Sequence, residues 1–111
     1  MKHIELSDEL WTRLSPLLPK YKSTLKGGRP RLDLKKVFEG IIFIHMNKLP
    51  WKAMPKSYGS KTAINDYYRN WAKEGVFHQL KGSGVLSHTE LIQVNFDWER
   101  IESLFKSHFY K

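Results

Sequence analysis

The chain has 111 residues, no cysteine and a formal net charge of +8; 41% of its residues are hydrophobic and 14% are aromatic. This length suits one small domain with a compact core, and the lack of cysteine excludes disulfides and thiolate metal sites. No apolar run reaches the length of a membrane span, and the amphipathic segment 1–19 does not have the pattern of a signal peptide. We therefore expect a soluble intracellular protein without a membrane partner.

The positive charge is concentrated in two blocks. Residues 19–36 carry seven basic residues against Asp33, and residues 48–81 carry seven against Asp66 and Glu74, so the blocks have net charges of +6 and +5. Concentrated positive charge favours a polyanionic partner, most often nucleic acid. Anionic lipid is the weaker alternative, because no helix pattern combines a basic face with low hydrophobicity.

The first helix is predicted to begin after Ser7. Ser7 suits the N-cap position, and Asp8 and Glu9 favour the positive end of the helix dipole. Pro19 is expected to stop this helix. Its apolar stripe, which we expect in the core, consists of Leu10, Trp11, Leu14, Leu17 and Leu18.

A basic tract follows at residues 20–31 and ends in Gly27-Gly28-Arg29-Pro30-Arg31. The proline fixes φ, and the paired glycines leave the preceding backbone free to bend. A solvated loop is one interpretation of such a tract. Because a basic helix follows later in the chain, we favour an arm that lays Arg29 and Arg31 along phosphates or in a minor groove.

A central helix is predicted over residues 34–47, with Asp33 as its N-cap. Its apolar residues extend almost around the cylinder, which indicates a mostly buried helix; they are Leu34, Val37, Phe38, Ile41, Ile42, Phe43, Ile44 and Met46. His45 lies on the same apolar face. We interpret it as a structural histidine with a hydrogen-bond partner and not as a ligand.

A helix-turn-helix is predicted at about residues 51–74. A short helical segment bounded by Pro50 and Pro55 leads to a turn in which Gly59 tolerates positive φ and Ser60 caps the next helix. That helix is expected to run over residues 61–74 and to end at Gly75. A short helix, a turn and a longer capped helix form the layout of this DNA-binding motif.

The predicted recognition helix has an apolar side and a polar side. Ala63, Ile64, Tyr67 and Trp71 form the apolar side, with Tyr68 at its border. The polar side carries Lys61, Thr62, Asn65, Arg69 and Lys73, with Asp66 and Asn70 at its rim. We expect Lys61, Thr62 and Asn65 to contact bases. Arg69 is expected to contact either bases or the DNA backbone. Lys73, Lys52 and Lys56 are expected to contact phosphates. A solvated helix face is the alternative.

The C-terminal part of the chain differs in composition. Residues 76–80 are predicted as a short turn, Lys81-Gly82-Ser83-Gly84 as a linker, and residues 88–108 as an acidic, aromatic helix. We expect this tail to pack on the first helix, with tail-driven dimerisation as the alternative. The predicted fold is an all-α small helical bundle with a helix-turn-helix and an appended C-terminal helix. Residues 1–81 would form the DNA-binding domain and residues 82–111 the linker and tail.

Four groups of residues resemble a known family. They are Ser7-Asp8-Glu9-Leu10-Trp11 with Leu17-Leu18-Pro19; Gly28-Arg29-Pro30-Arg31; Leu49-Pro50-Trp51-Lys52-Ala53-Met54-Pro55 with Tyr58-Gly59-Ser60; and Tyr68-Arg69-Asn70-Trp71 with Gly75-Val76-Phe77. In this order they resemble the N-terminal DNA-binding domain of bacterial insertion-sequence transposases, in the IS-five-like subgroup with a DDE catalytic domain. The resemblance implies a helical module whose helix-turn-helix binds the element's terminal inverted repeats.

The sequence departs from that family near its end. Family members continue into a strand bearing Ile-Asp-Ser/Thr, whose Asp is the first metal ligand; here Glu102 falls near that point, and the other carboxylates are missing from residues 103–111. Two or three oxygen ligands on separate strands are needed to hold Mg²⁺ for phosphoryl transfer. We therefore expect no catalytic residues, no metal, no cofactor and no enzymatic activity.

The sequence thus predicts a DNA-binding protein that resembles the end-recognition domain of a transposase. Its expected partner is double-stranded DNA, including terminal inverted repeats, and its expected location is the bacterial cytoplasm, in association with the nucleoid. One alternative is a subunit of a two-part transposase that acts with a DDE-domain protein in trans. Another is a protein-interaction module or homodimer, which the aromatic tail would favour.

Overall fold

A computed structural model describes residues 4–18 and 33–109 of the protein, apart from the side chains of residues 108 and 109. Within these residues the chain forms five α-helices and no strand. The helices are α1 (Asp8–Leu14), α2 (Leu34–Met46), α3 (Lys61–Lys73), α4 (Val76–Ser83) and α5 (Trp98–Phe109). Short 3₁₀ turns occur at Ser15–Leu17, Trp51–Ala53, Lys56–Tyr58 and Val85–Ser87. The predicted all-α class is confirmed.

The first helix begins as predicted and ends earlier. The hydroxyl of Ser7 accepts a hydrogen bond of 3.2 Å from the backbone N–H of Leu10, which caps α1. The helix stops at Leu14, and Pro16 lies in the 3₁₀ turn that follows. Leu10, Leu14 and Leu18 are buried in the core.

Helix α2 is the centre of the fold. The carboxylate of Asp33 accepts a hydrogen bond of 3.0 Å from the backbone N–H of Lys35, so the predicted cap is correct. All residues from 37 to 44 are buried. Within this run, Gly40 allows a close approach of the chain: a Cβ at this position would lie 3.1 Å from Cβ of Tyr58. Helix α2 is buried around its circumference because other elements, among them α3 and the turn Lys56–Tyr58, pack against it.

Helix α3 has the predicted ends. Ser60 caps it, and the two glycines that flank the helix, Gly59 and Gly75, have φ values of 131° and 79°. The buried face is turned from the predicted one by about one residue, because Tyr68 and Ala72 are buried while Tyr67 is half-buried. Tyr68 is drawn inward by aromatic neighbours on both sides, which helix periodicity alone does not reveal.

The segment before α3 differs from the predicted short helix. It forms two 3₁₀ turns, Trp51–Ala53 and Lys56–Tyr58, separated by Met54 and Pro55. Met54 has an extended backbone, with φ −61° and ψ 123°. The physical reason is Pro55, because a proline lacks an N–H and disfavours helical geometry in the residue before it.

The helices of the C-terminal region lie at other positions than predicted. Residues 81–83, expected in a linker, continue α4, so the boundary predicted at residue 81 lies inside a helix. Residues 88–97 form turns and irregular backbone, and α5 starts only at Trp98. Helix α5 packs mainly against α3, not against α1 as expected, and its Ile101 is fully buried. No helix in the described part of the chain has the length and apolar character of a membrane span.

Candidate nucleic-acid interface

Three lysines predicted to contact nucleic acid line one groove. Lys52, Lys56 and Lys61 surround a shallow concavity of about 540 Å³ at the N-terminal end of α3, together with Thr62. All four side chains are exposed. We call this concavity the lysine groove.

The 3₁₀ turns explain why these lysines point outward. Met54 and Tyr58 are only 7% and 8% exposed, so the segment is fixed to the core by these two side chains. Tyr58 packs on Phe43 of α2, with ring centroids 5.5 Å apart. Lys52 and Lys56 alternate with the buried anchors along the chain and therefore lie at the surface.

The groove is suited to an anion. None of its three lysines forms an ion pair within residues 4–18 and 33–109. It also lies at the N-terminus of a helix of 13 residues that has no acidic residue in its first turn. The free N–H groups and the dipole of such a helix end attract phosphate.

The outer face of α3 carries the remaining predicted contacts. Lys61, Thr62 and Arg69 are exposed, whereas Asn65 and Lys73 are half-buried. At about 100° per residue, Thr62, Arg69 and Lys73 lie within one narrow stripe, and Lys61 and Asn65 lie toward one edge. The polar face is therefore present, but Asn65 is less accessible than predicted.

Asp66 has a more central position on this face than the sequence suggested. It is exposed and lies one helical turn from both Thr62 and Arg69. The sequence placed it at the rim because the buried side was expected one residue away from its actual place. A carboxylate here lowers the local positive charge and is able to accept a hydrogen bond from cytosine N4.

The predicted arm, including Arg29 and Arg31, lies outside the described residues. Asp33, which follows this segment, shares a concavity of about 520 Å³ with Lys35, Lys36 and Ser57. Since Ser57 lies in the 3₁₀ turn Lys56–Tyr58, the chain after the arm returns beside the segment that carries Lys56. Residues 33–36, which follow the predicted arm, therefore lie beside this turn.

The concavity beside Asp33 is lined by three carboxylates and two lysines. Glu5 and Glu39 line it as well as the two lysines, and the ammonium of Lys35 lies 3.7 Å from Oδ1 of Asp8. Glu39 accepts a hydrogen bond of 2.7 Å from the N–H of Leu6. Burial raises the pKa of Glu39 despite this bond. This region is therefore less suited to a polyanion than the lysine groove.

Two titratable residues considered for other chemistry have structural partners. Nδ1 of His45 lies 2.8 Å from the carbonyl oxygen of Ile41, and burial lowers the pKa of His45, which confirms the prediction of a structural histidine. Glu102 lies on α5 and not on a strand, and its Oε2 is 2.7 Å from Nε2 of His78. Among the described residues, no group of three His, Asp or Glu side chains is arranged to hold a metal ion.

Comparison with known proteins gives two matches. The family model described as "Putative transposase of IS4/5 family (DUF4096)" matches residues 6–81, more than half of the chain. The chain is also similar to the insertion element IS402 uncharacterized 16.2 kDa protein of Burkholderia cepacia, with 26% identity over 102 residues, covering 88% of this chain and 69% of that protein. No solved structure matches the chain.

Proposed function

The chain belongs to the IS4/5 family of transposase-related proteins, and we propose that it binds double-stranded DNA at the ends of an insertion element. In this proposal α3 enters the major groove and the lysine groove holds the phosphate backbone beside it. The role is recognition and not strand cleavage or transfer. The place of action is the bacterial cytoplasm, in association with the nucleoid.

The observation that carries the proposal is the convergence of Lys52, Lys56 and Lys61 on the N-terminus of α3. Two of these lysines come from a segment outside the helix, and burial of Met54 and Tyr58 holds that segment in place. A groove built in this way presents fixed cations next to a helix whose outer face is polar. This is the arrangement expected of a helix positioned on DNA by phosphate contacts.

The individual roles follow from position. We assign phosphate contacts to Lys52, Lys56 and Lys73. Thr62, at the exposed start of α3, is the strongest base contact, with Lys61 and Asn65 beside it and Arg69 shared between bases and backbone. Arg29 and Arg31, in the segment outside the described residues, would provide a second contact in the minor groove or along the backbone.

The packing of α5 helps to decide between DNA binding and the alternative of a protein-interaction module. The ring of Phe105 lies 4.5 Å from that of His78 on α4, and the Lys81 ammonium lies 4.8 Å from the ring centroid of Trp98. These contacts use aromatic side chains of the tail within the molecule, so the tail gives little support to a separate protein-interaction module. Action with a DDE-domain protein in trans is compatible with end recognition and would add a partner to it.

A band-shift titration tests the proposal, with a duplex that contains the element's terminal inverted repeat and a scrambled duplex of equal length. We expect preference for the repeat and an affinity that falls steeply with salt, by about 0.9 in log–log slope per phosphate contact. The double variant Lys52→Ala/Lys56→Ala should weaken binding to both duplexes and reduce the slope by about 2.

The matched control is Lys81→Ala/Lys106→Ala, which removes the same charge from exposed positions on α4 and α5. It should leave the slope nearly unchanged. Equal losses in the two double variants would mean that net charge and not the lysine groove determines binding. A wild-type protein that does not prefer the repeat, or whose affinity does not depend on salt, would contradict the proposal itself.

A further inference from the structure

A second cavity, of about 250 Å³, lies between the end of α2, the 3₁₀ turn Trp51–Ala53, α3 and the start of α5. Trp51 lines this cavity, while its neighbour Lys52 lines the lysine groove. The cavity is therefore next to the surface assigned above to phosphate. The DNA contacts proposed for α3 do not use this cavity.

Aromatic rings form the inner wall. The ring centroid of Tyr68 lies 5.1 Å from that of Trp51 and 5.5 Å from that of His45, and Trp51 and His45 meet edge to face. Burial lowers the pKa of His45, so its ring is uncharged at neutral pH. Since pockets for drug-sized ligands hold roughly 300–1,000 Å³, this smaller cavity suits a single planar ring system.

The wall also contains a polar group without a partner. Tyr68 is 1% exposed, and its hydroxyl has no hydrogen-bond partner in the described part of the chain. The charges of Asp97 and Arg100, which line the cavity, both act on this hydroxyl. Tyr68 lines the same cavity as these two residues. Buried hydroxyls are nearly always paired, and one that is not calls for an explanation such as a ligand.

The rim carries two cations. Lys48 and Arg100 line the cavity and are exposed, and neither forms an ion pair within the described ranges. Asp97, the acidic residue of the rim, accepts a hydrogen bond of 3.1 Å from the backbone N–H of Arg100. Lys48 has a φ of 53° because it ends α2 as the left-handed C′ residue, with the N–H of Leu49 bonded to the carbonyl oxygen of Ile44.

We propose that this cavity binds one nucleotide, with the base against Trp51 and His45, the Tyr68 hydroxyl donating to the base, and the phosphate held by Lys48 and Arg100. Aromatic side chains take up unstacked bases in this way, and the cations at the rim match the phosphate. The nucleotide has two possible sources. It is either a free mononucleotide or an unpaired nucleotide in bound DNA; the second source rests on the function proposed above.

Two binding measurements on the full chain distinguish these sources. In the first, fluorescence anisotropy compares a fully paired duplex with the same duplex carrying one extrahelical nucleotide. In the second, calorimetry measures binding of free dAMP and dTMP. If the source is DNA, the wild type should bind the bulged duplex about tenfold more tightly than the paired one, as expected for one base stacked on an aromatic ring.

Three variants locate the effect. Trp51→Leu should abolish the preference by removing the stacking surface, Arg100→Ala should weaken it by removing the phosphate contact, and Tyr68→Phe should reduce it by removing the hydroxyl alone. Trp51→Phe, which keeps a ring, and Lys106→Ala, which removes an exposed charge elsewhere on α5, should retain it. Circular dichroism establishes that each variant is folded, and Tyr68→Phe provides a test in which the ring packing is kept.

The outcomes test nucleotide binding by the cavity independently of the proposed DNA-binding function. Mononucleotide binding that Trp51→Leu and Arg100→Ala abolish supports the cavity even if no duplex is bound, and in that case the DNA-binding proposal fails alone. A bulge preference that these two variants leave intact overturns the cavity, because it then arises from DNA bending. Equal affinity for both duplexes together with no mononucleotide binding also overturns it.

Discussion

Glu39 and Glu90 accept hydrogen bonds from consecutive backbone N–H groups, those of Leu6 and Ser7, at 2.7 and 2.8 Å. One carboxylate comes from α2 and the other from the turns before α5, so together they fix the N-terminal segment to two distant parts of the chain. The pKa of Glu39 is raised, mainly by burial, whereas hydrogen bonds from the Ser7 side chain and backbone lower the pKa of Glu90. The two contacts are of the same kind, but their contributions to the stability of the fold therefore change in opposite directions as the pH falls.

Replacement of Glu39 separates its hydrogen bond from its charge. Because the folded-state pKa lies above 4.5, the ionised carboxylate opposes folding at neutral pH, and protonation as the pH falls through that raised value restores stability. Glu39→Gln retains an acceptor without the charge and should be as stable as the wild type, or more so, at pH 7. Glu39→Leu should lose about 1–3 kcal/mol, because the Leu6 N–H is left unpaired.

Urea denaturation at pH 7 and near pH 5 measures these differences. The stability of Glu39→Gln relative to the wild type should be greatest at pH 7 and should shrink toward the lower pH. If Glu39→Gln is as damaging as Glu39→Leu, the charge and not the acceptor holds Leu6 in place.

Glu90 should show the opposite sign. Its folded-state pKa is lower than 4.5, so its contribution is complete above the unfolded value and is lost as the pH falls through the folded one. We expect Glu90→Gln to cost about 1 kcal/mol at pH 7 and less near pH 3, because the wild-type carboxylate takes up protons and loses its charge as the pH falls. Thermal unfolding at the two pH values measures the change, and an equal cost at both would show that charge has no part in the contact with Ser7.

The ends of the helices were predicted best where a capping residue or a glycine with positive φ defines them. Asp33 and Ser60 mark the starts of α2 and α3, and Gly75 follows the end of α3, because caps and positive φ depend on residues close in sequence. The 3₁₀ geometry around Pro55 was also within reach of local rules, since proline interrupts a helix. The predicted single short helix is therefore wrong, and two 3₁₀ turns take its place.

Tertiary contacts determine the extent of α4 and the assembly of the lysine groove, which local sequence patterns did not predict. Gly82 lies in a Gly-Ser-Gly pattern typical of linkers, yet it continues α4 because Leu80 before it and Val85 after it are buried. The sequence predicted the lysines of the groove individually but not that they lie together. The position of its members around one concavity depends on the burial of Met54 and Tyr58, which a local pattern does not reveal.

Tyr68→Phe should not destabilise the protein. The Tyr68 hydroxyl is buried and has no partner in the residues that the structure describes, so its removal deletes an unsatisfied group and leaves the ring packing intact. We expect unchanged stability or a gain of up to about 1 kcal/mol in urea denaturation. Burial raises the pKa of Tyr68 to about 12, so the comparison should be independent of pH below about 9.

Tyr58→Phe is the matched control for this comparison. The Tyr58 side chain is hydrogen-bonded to the backbone of Ile4. Loss of this bond should cost about 1 kcal/mol in the same assay. A comparable loss in Tyr68→Phe would mean that its hydroxyl has a partner in the folded protein, and the argument for a ligand at that position would fail.

Gly40→Ala tests how the packing of α2 supports the lysine groove. The added Cβ would lie 3.1 Å from Cβ of Tyr58, 3.2 Å from Sδ of Met54 and 3.3 Å from Cδ1 of Ile64. Alanine is a better helix former than glycine by about 1 kcal/mol, but overpacking costs about 1–3 kcal/mol. We expect a net loss of about 1 kcal/mol, because the Cβ of Tyr58 is held by the backbone and cannot move away alone.

The same change should weaken DNA binding. Met54 and Tyr58 anchor the segment that carries Lys52 and Lys56, so a displacement of these anchors moves two cations of the groove. Gly82→Ala is the control, since a Cβ there has no neighbour within 4 Å; it should be neutral or stabilising and leave affinity unchanged. Band shifts at a temperature where both variants are fully folded make the comparison. Wild-type affinity in a destabilised Gly40→Ala protein would show that the groove tolerates movement of its anchors.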